Sequence, residues 1–418
     1  DDVYMAWGGL LSKLKVHHKP LITSGNLGFN RNVYLDVGVN NGSALKHAVT
    51  DILNGTTSLN NKQYLYGLLG YSKLTQSDFD ALASKSYNDQ VSYLQTKTAN
   101  QDFQMGSVIH STPIMLTQKG TFEEKDGEYG VSEREDYILA GTTQGLVQVV
   151  NADNGKEVFS FLPSEFLTRQ NNSQEKGFAE SLAMGRFSTQ NTDNFFYGVD
   201  GPWVAHTEYE YSFEGDKEIM TAKKQYAYGG LRMGGRSYYA LDLTNLGKTS
   251  GKPKLLFAIK PDDHTTGALS YMGESWSKPV ITYIPWKGQK KLAMIVGGGY
   301  DRKYEQQLSN ADLSGKVDGN GIYIFAAEDL DTNTKAGTLL WWGSSNATSK
   351  GGAIESTEIK AMTHSIPSRV KAVDRNGDGI TDHLYVGDLG GQVFRIDFNS
   401  KLGSSAASSN LVYQANKI

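Results

Sequence analysis

One pattern limits this chain more than any other: a short apolar strand, a glycine turn and a second apolar strand, repeated several times. It stands first at Asp136-Tyr-Ile-Leu-Ala-Gly141, Gly145-Leu-Val-Gln-Val-Val150 and Asn151-Ala-Asp-Asn-Gly155-Lys-Glu-Val-Phe159. It recurs at Lys291-Leu-Ala-Met-Ile-Val-Gly297, Gly321-Ile-Tyr-Ile-Phe325 and Leu339-Leu-Trp341, and again at His383-Leu-Tyr-Val-Gly387 and Gly391-Gln-Val-Phe-Arg-Ile-Asp397. A looser copy is Gly235-Arg-Ser-Tyr-Tyr-Ala-Leu-Asp242 with Lys254-Leu-Leu-Phe257. Three- or four-stranded units at a period of about 40–50 residues mark a β-propeller. Each unit then buries both faces against its neighbours, which accounts for apolar strands without clean alternation. A β-sandwich has no need of one unit several times over. The fold expected is all-β, a quinoprotein-like propeller of about seven blades at that period, complete or partial in this chain.

Glycine at 46 and tyrosine at 23 of 418 residues suit a mostly β chain. The repeat begins near Met105, so residues 105–418 read as the propeller and residues 1–104 as a mixed, partly helical segment that packs on it or closes it. In that segment residues 4–16 and 64–70 read as helical and residues 31–36 as a strand. Ser43 opens an amphipathic helix with Leu45, Ala48, Val49, Ile52 and Leu53 on one face, ended by Gly55. Thr75-Gln-Ser-Asp78 reads as a capping box ahead of Phe79, Leu82, Val91 and Leu94. Within the propeller, residues 119–135 and 301–320 read as polar surface loops, and residues 206–229 as a long hairpin whose tyrosines pack a sheet.

Several function classes fall away on composition. A net charge of −4 gives no basic footprint for nucleic acid. No apolar run is long enough for a membrane-spanning helix, so no membrane insertion is expected. There is no cysteine, hence no disulfide, thiolate zinc site or cysteine nucleophile. The nucleotide, zinc-protease and serine-hydrolase motifs are missing, and His17-His18 is the one adjacent histidine pair. Asp1-Asp2-Val3 is no signal peptide and reads as an internal or mature start.

One stretch carries chemistry of its own: Asp374-Arg-Asn376-Gly-Asp378-Gly-Ile380-Thr-Asp382. Oxygen side chains fall at its first, third, fifth and ninth positions, and Gly377 and Gly379 let the backbone curl. Calcium takes six to eight oxygens at about 2.3–2.6 Å, and an EF-hand draws on positions one, three, five and the carbonyl of seven. Here the Ile380 carbonyl stands at seven. Tyr385 occupies the twelfth position, so Asp382 is the closing acid of a compact EF-like loop. Asn-Gly and Asp-Gly also mark plain turns, but a plain turn does not need three mutually repelling carboxylates. Magnesium fits less well because it keeps its waters. The metal ligands expected are Asp374, Asn376, Asp378, Ile380 and Asp382, with Ca²⁺ as the cofactor. Asp329, Asp331 and Asn333 begin in the same way, but Gly337 stands where the ninth-position acid belongs, and a solvated turn is expected there.

Taken together, the stretches around residues 105–400 resemble the PilC/PilY type IV pilus biogenesis proteins and tip adhesins, in their C-terminal propeller domain. The resemblance is carried by Met105-Gly-Ser-Val-Ile-His-Ser-Thr-Pro113, Ala140-Gly-Thr-Thr-Gln-Gly145, Gly155-Lys-Glu-Val-Phe-Ser-Phe-Leu-Pro163 and Tyr197-Gly-Val-Asp200-Gly-Pro202. It continues through Gly234-Gly-Arg-Ser-Tyr-Tyr-Ala-Leu-Asp242-Leu-Thr244 and Gly297-Gly-Gly-Tyr-Asp301. The most specific run is the oxygen-rich loop leading into Tyr385-Val-Gly-Asp388-Leu-Gly-Gly391-Gln-Val-Phe-Arg395-Ile-Asp397.

The resemblance implies a calcium site in a propeller-surface loop, on the same residues that spacing selects. It also implies a non-enzymatic role in pilus assembly and control of retraction (hence twitching motility and virulence), and adhesion from the pilus tip. The partners would be minor pilins and a host-cell surface receptor, outside the bacterium after export through the periplasm. Ser107 stands where the family usually has Asp, and no Arg-Gly-Asp occurs. The family's large N-terminal region does not precede this domain here, and members continue past the Asp397 region. The chain therefore reads as a fragment or as a ring closed unusually, with residues 31–36 and 411–413 as closing strands. Two alternatives stay open: a quinoprotein dehydrogenase, weakened by the lack of a vicinal cysteine pair, and a propeller scaffold with purely structural calcium.

Overall fold

The computed structural model describes residues 31–53, 65–66, 68–69, 71, 74–97, 106–125, 127–168, 197–248, 251–309 and 317–418. The readings over residues 4–16, at His17-His18, at Met105 and over part of 64–70 lie outside the described residues. The N-terminal part contributes β1 (Val33–Leu35), β2 (Ser43–Ala44) and β3 (Lys46–His47), then α1 (Gln76–Ala83) and α2 (Tyr87–Gln95).

Four antiparallel four-stranded units follow in order, each the size of a propeller blade. Blade one is β4 (Ile114–Lys125), β5 (Glu128–Gly141), β6 (Val147–Asn151) and β7 (Glu157–Leu162). Blade two is β8 (Trp203–Glu214), β9 (Lys217–Gly230), β10 (Tyr238–Asp242) and β11 (Lys254–Ile259). Blade three is β12 (Val280–Trp286), β13 (Gln289–Gly297), β14 (Gly321–Ala326) and β15 (Leu339–Ser344), with β16 (Glu355–Glu358) added parallel to β15. Blade four is β17 (Lys371–Val373), β18 (His383–Gly387), β19 (Val393–Phe398) and β20 (Val412–Lys417).

Alternation along each strand explains how the blades stack. In β10, Tyr239 and Leu241 join the core shared with blade one, while Tyr238 and Ala240 join the core shared with blade three. In β13, Met294 and Val296 face blade two, and Ala293 and Ile295 face blade four with Leu384, Val386, Phe394 and Ile396. With both faces buried, consecutive central positions of these strands are apolar, and each large side chain contributes about 1.5–3 kcal/mol of burial.

A second repeat lies at the start of each blade, a serine or aspartate two residues before proline: Ser111/Pro113, Asp200/Pro202, Ser277/Pro279 and Ser365/Pro367. The Ser111 and Ser277 hydroxyls accept the N–H groups of Gly141 and Gly297 at 2.8 and 2.9 Å, so they tie off the second strand of their own blade. Those glycines also meet the next blade's lead-in segment. A Cβ on Gly141 would stand 2.3 Å from the Val199 carbonyl oxygen, and one on Gly297 2.4 Å from that of Ile366. Neither contact leaves room for a side chain.

The propeller reading holds, with differences in detail. The described residues hold four blades rather than about seven, because long hairpins and loops stretch each unit well beyond the expected period. Residues 119–135 are not a loop but most of the β4–β5 hairpin, on which Glu124, Glu133 and Arg134 are exposed. Residues 206–229 do form a hairpin, β8–β9, and residues 119–122 pair with residues 218–221 to join the two hairpins into one arm. This joins blades one and two in a single sheet.

Ser43 does not open a helix. It pairs with Leu255 of β11, Lys46 and His47 pair with β1, and only residues 48–53 coil, as one wide π-type turn. Leu45, Ala48, Val49 and Ile52 are still buried, so the apolar pattern marked contact with the core while the available strand edges decided the path. The Thr75 capping box forms, but α1 ends at Ala83 and Ser86 caps a separate α2. Residues 301–320 include a 3₁₀ stretch, Arg302–Ser309. The two closing strands do not meet: β1 pairs parallel with β7, whereas β20 pairs with β19 in another sheet.

Candidate metal centre

The oxygen-rich loop joins β17 to β18, whose pairing runs from Lys371 opposite Tyr385 to Val373 opposite His383. Its two glycines take left-handed φ values of 76° at Gly377 and 78° at Gly379, which reverse the chain twice within three residues. Asp374 accepts the Gly377 N–H on Oδ1 at 2.7 Å and the Gly379 N–H on Oδ2 at 2.8 Å. Asn376 Oδ1 accepts from Asp378 N, and Asp378 Oδ1 accepts from Ile380 N at 2.8 Å. Asp382 Oδ2 reaches back to the Arg375 N–H at 2.8 Å and so closes the loop. Burial pushes the Asp374 carboxyl up, but the backbone N–H groups of Gly379, Gly377, Asp378 and Asn376 outweigh it and hold the group below its ordinary range.

The base of the loop is fixed to the propeller. Ile380 is 3% exposed and points inward. Thr381 N donates to the Tyr283 carbonyl at 2.8 Å, and the Thr381 and Thr282 hydroxyls lie 2.8 Å apart. The loop of blade four is therefore latched onto β12 of blade three. Asp382 is further held by its N–H to Val373 and by its carbonyl, which accepts from Phe398. Beside it, Asp397 draws together His383 Nδ1 and Arg395 Nε at 2.6 Å each, with Gln414 on its other oxygen.

All five expected ligands thus lie in one nine-residue loop. Among the described residues, however, no three Asp, Glu, His or Cys side chains converge as a metal cluster. The carboxylates turn toward backbone N–H groups instead. The donor chemistry still fits a hard cation. Every donor is an oxygen, and among the described residues the Ile380 carbonyl and Asp382 Oδ1 receive no hydrogen bond. The Asp329–Asn333 stretch is a solvated turn: Asp331 accepts the Asn333 and Thr334 N–H groups, while Lys335 and Lys287 pair with Asp329 and Asp331.

A second polar centre was not singled out by the sequence. Asp200, from the lead-in to blade two, is buried beneath His110 and Arg232, with His110 Nδ1 at 2.8 Å and Arg232 Nη1 at 3.0 Å. Arg232 lies 4.1 Å from the Trp276 ring centroid, and Trp276 stacks on Tyr300 at 4.3 Å. Next to these is a cavity of about 300 Å³ lined by Arg236, Asp262, Glu274, Tyr300, Arg302 and Asp318. Burial pushes the Glu274 carboxyl up against the opposing pull of Arg302 and Trp276. The serine/aspartate–proline repeat at the blade starts was the available signal, since it marks where these lead-in segments gather. Ser107, also on a lead-in, exchanges hydrogen bonds with Thr143.

The family profile described as the PilY1 beta-propeller domain matches residues 121–413, well over half of the chain and inclusive of the loop. The chain belongs to the PilY1 beta-propeller family. It is 23% identical over 417 residues to the type IV pilus biogenesis factor PilY1 of Pseudomonas aeruginosa strain PAK, covering 94% of this chain and 30% of that protein. A PilY1 homolog of Xylella fastidiosa strain Temecula1 is 22% identical over 325 residues, covering 74% of this chain and 21% of the homolog. The chain therefore spans less than a third of the length of these curated relatives. The crystal structure of the P. aeruginosa PilY1 C-terminal domain is similar at a TM-score of 0.36 and 20% identity, covering 68% of this chain and 44% of that one. Among the described residues of this PilY1-family chain, no helix is long and apolar enough to cross a membrane.

Proposed function

We propose that this chain is the calcium-binding propeller of a type IV pilus biogenesis factor, acting without catalysis in pilus assembly, retraction control and adhesion. Its ligands are Asp374, Asn376, Asp378, the Ile380 carbonyl and Asp382. Its partners are minor pilins and a host-cell receptor at the pilus tip, on the bacterial outer surface. The observation that carries the reading is the joining of this all-oxygen loop to a neighbouring blade through Thr381, inside the span matched by the PilY1 family. A bound cation supplies charge neutralisation for three carboxylates, and the chain's own residues do the rest. Asp382 closes the loop, Ile380 anchors it, and Thr381 passes its order to β12.

Calorimetric titration of Ca²⁺ into the wild-type chain, Asp382→Ala and Asp329→Ala tests this. The wild type and Asp329→Ala bind alike, and Asp382→Ala binds at least about tenfold more weakly. Equal binding by all three removes the loop assignment. The purely structural alternative is favoured by the same latch, since Thr381 ties the loop to packing. A calcium-site variant that folds normally yet fails to restore pili in a strain lacking the protein decides for the regulatory role; full restoration decides for the structural one.

A further inference from the structure

The arm formed by the β4–β5 and β8–β9 hairpins has two unlike faces. Strand pairing sets Tyr209 opposite Ala222, Tyr211 opposite Met220 and Phe213 opposite Glu218, with Gly120 and Phe122 opposite Met220 and Glu218 from the other side. Tyr209, Tyr211, Phe213, Met220 and Phe122 therefore share one face, with Glu218 beside Phe213 and Phe122, and the Phe122 and Tyr211 rings lie 6.1 Å apart. Phe213 is 72% exposed and Tyr211 57%, the most open aromatic pair on any one strand of the described residues. The other face of β8 carries Glu210 and Glu214, both exposed and without an ion pair among the described residues. Lys217 stands opposite Glu214 in the register, but its ammonium pairs with Glu123 and Glu133.

Among the described strands β8 pairs only with β9. Among the described residues, the backbone N–H and C=O groups of its outer edge have no ladder partner. Proteins commonly blunt such an edge with charged side chains (lysine above all), proline or a bulge. Residues 209–214 contain neither lysine nor proline, the bulge, between Glu208 and Tyr209, comes before them, and their two charges, Glu210 and Glu214, turn away like charge while leaving the edge open to a basic strand.

We propose that this edge accepts an extended peptide segment of a partner protein, in which apolar or aromatic residues alternate with lysine or arginine. The added strand continues the ladder. Its apolar residues lie beside Tyr211 and Phe213, and its basic residues lie opposite Glu210 and Glu214. A second copy of the chain is disfavoured: antiparallel pairing about Ser212 sets Glu210 against Glu214 twice, and like charges opposite each other destabilise a sheet. A one-residue slip puts glutamate on the aromatic face. The same carboxylates repel nucleic acid and anionic lipid. The proposal does not depend on the calcium loop, which lies in another blade.

The test uses the full 418-residue chain and two synthetic peptides, one alternating valine and phenylalanine with lysine, the other with glutamate in place of lysine. Binding is read by fluorescence anisotropy and by hydrogen exchange of those amides of residues 209–214 that point away from β9. The lysine peptide binds and slows exchange there, and the glutamate peptide does not bind. Tyr211→Ser with Phe213→Ser weakens binding by about tenfold or more, the size of a lost hot spot. Glu210→Lys with Glu214→Lys, a surface change that leaves the aromatic face intact, reverses the peptide preference. The proposal is overturned by no binding, by binding without slowed exchange at 209–214, or by a preference that the charge reversal leaves unchanged. It is also overturned if the amides that point away from β9 are already protected in the chain alone, because another segment or a second copy then holds the edge.

Discussion

Oδ2 of Asp382 accepts the Arg375 N–H while its backbone holds Val373 and Phe398, so this residue fixes the loop from both ends. Ile380 anchors the same loop from inside, and Ile380→Ala is expected to lower stability by about 2–5 kcal/mol in denaturant unfolding, the usual range for a buried aliphatic truncation. Asp78 does comparable work in the capping box of α1. Its carboxyl is held well below the usual range by the Thr75 N–H, the Tyr93 hydroxyl, Lys97 and the Thr75 hydroxyl. A depressed acid stabilises the fold above its unfolded pKa of about 3.9 and loses that contribution as pH falls through the folded value. Helical circular dichroism from α1 and α2 should therefore fall below about pH 4, and Asp78→Asn should flatten this pH dependence. These residue roles were legible in sequence where spacing alone defines them, as in the capping box and the order of oxygens in the loop. The Thr381 latch was not, because its partners Thr282 and Tyr283 lie about a hundred residues away in the chain.

At the scale of elements, the four blades meet through glycines that admit the next lead-in segment. Gly297→Ala places a methyl group against the Ile366 carbonyl oxygen, with the Ser368 carbonyl oxygen 3.2 Å away. The expected cost is about 1–3 kcal/mol, as for overpacking, and a lowered thermal midpoint checks it. Gly377→Ala differs. Nothing lies within 4 Å of the added Cβ, so only the left-handed backbone resists, and the global midpoint should move less than for Gly297→Ala. The apolar strands were legible because burial on both faces leaves a continuous signature. The arm was only half legible: residues 206–229 showed their alternation, whereas residues 119–135 looked like a loop. A strand whose flanks face water carries few apolar residues, and β9 supplies the pairing that makes it a strand.

Across the whole molecule, blades one and two share a sheet, while blades three and four share a core and the Thr381 latch. Removing calcium should therefore be felt locally. With a chelator added, hydrogen exchange is expected to rise in the loop, β17, β18 and the adjoining part of β12, and to stay unchanged in β5 to β7. Faster exchange across blade one as well would count against a local role. The repeated strand unit, the all-β class, the capped helix and the oxygen-rich loop could be read from the residues alone, because strand period, turn glycines and ligand spacing are local properties. The number of described blades, the joining of two hairpins into an arm, the path of the chain after Ser43 and the anchoring of the loop to a second blade emerged with the folded arrangement. Each of those depends on which distant edge or face is free to pair, and no local pattern carries that information.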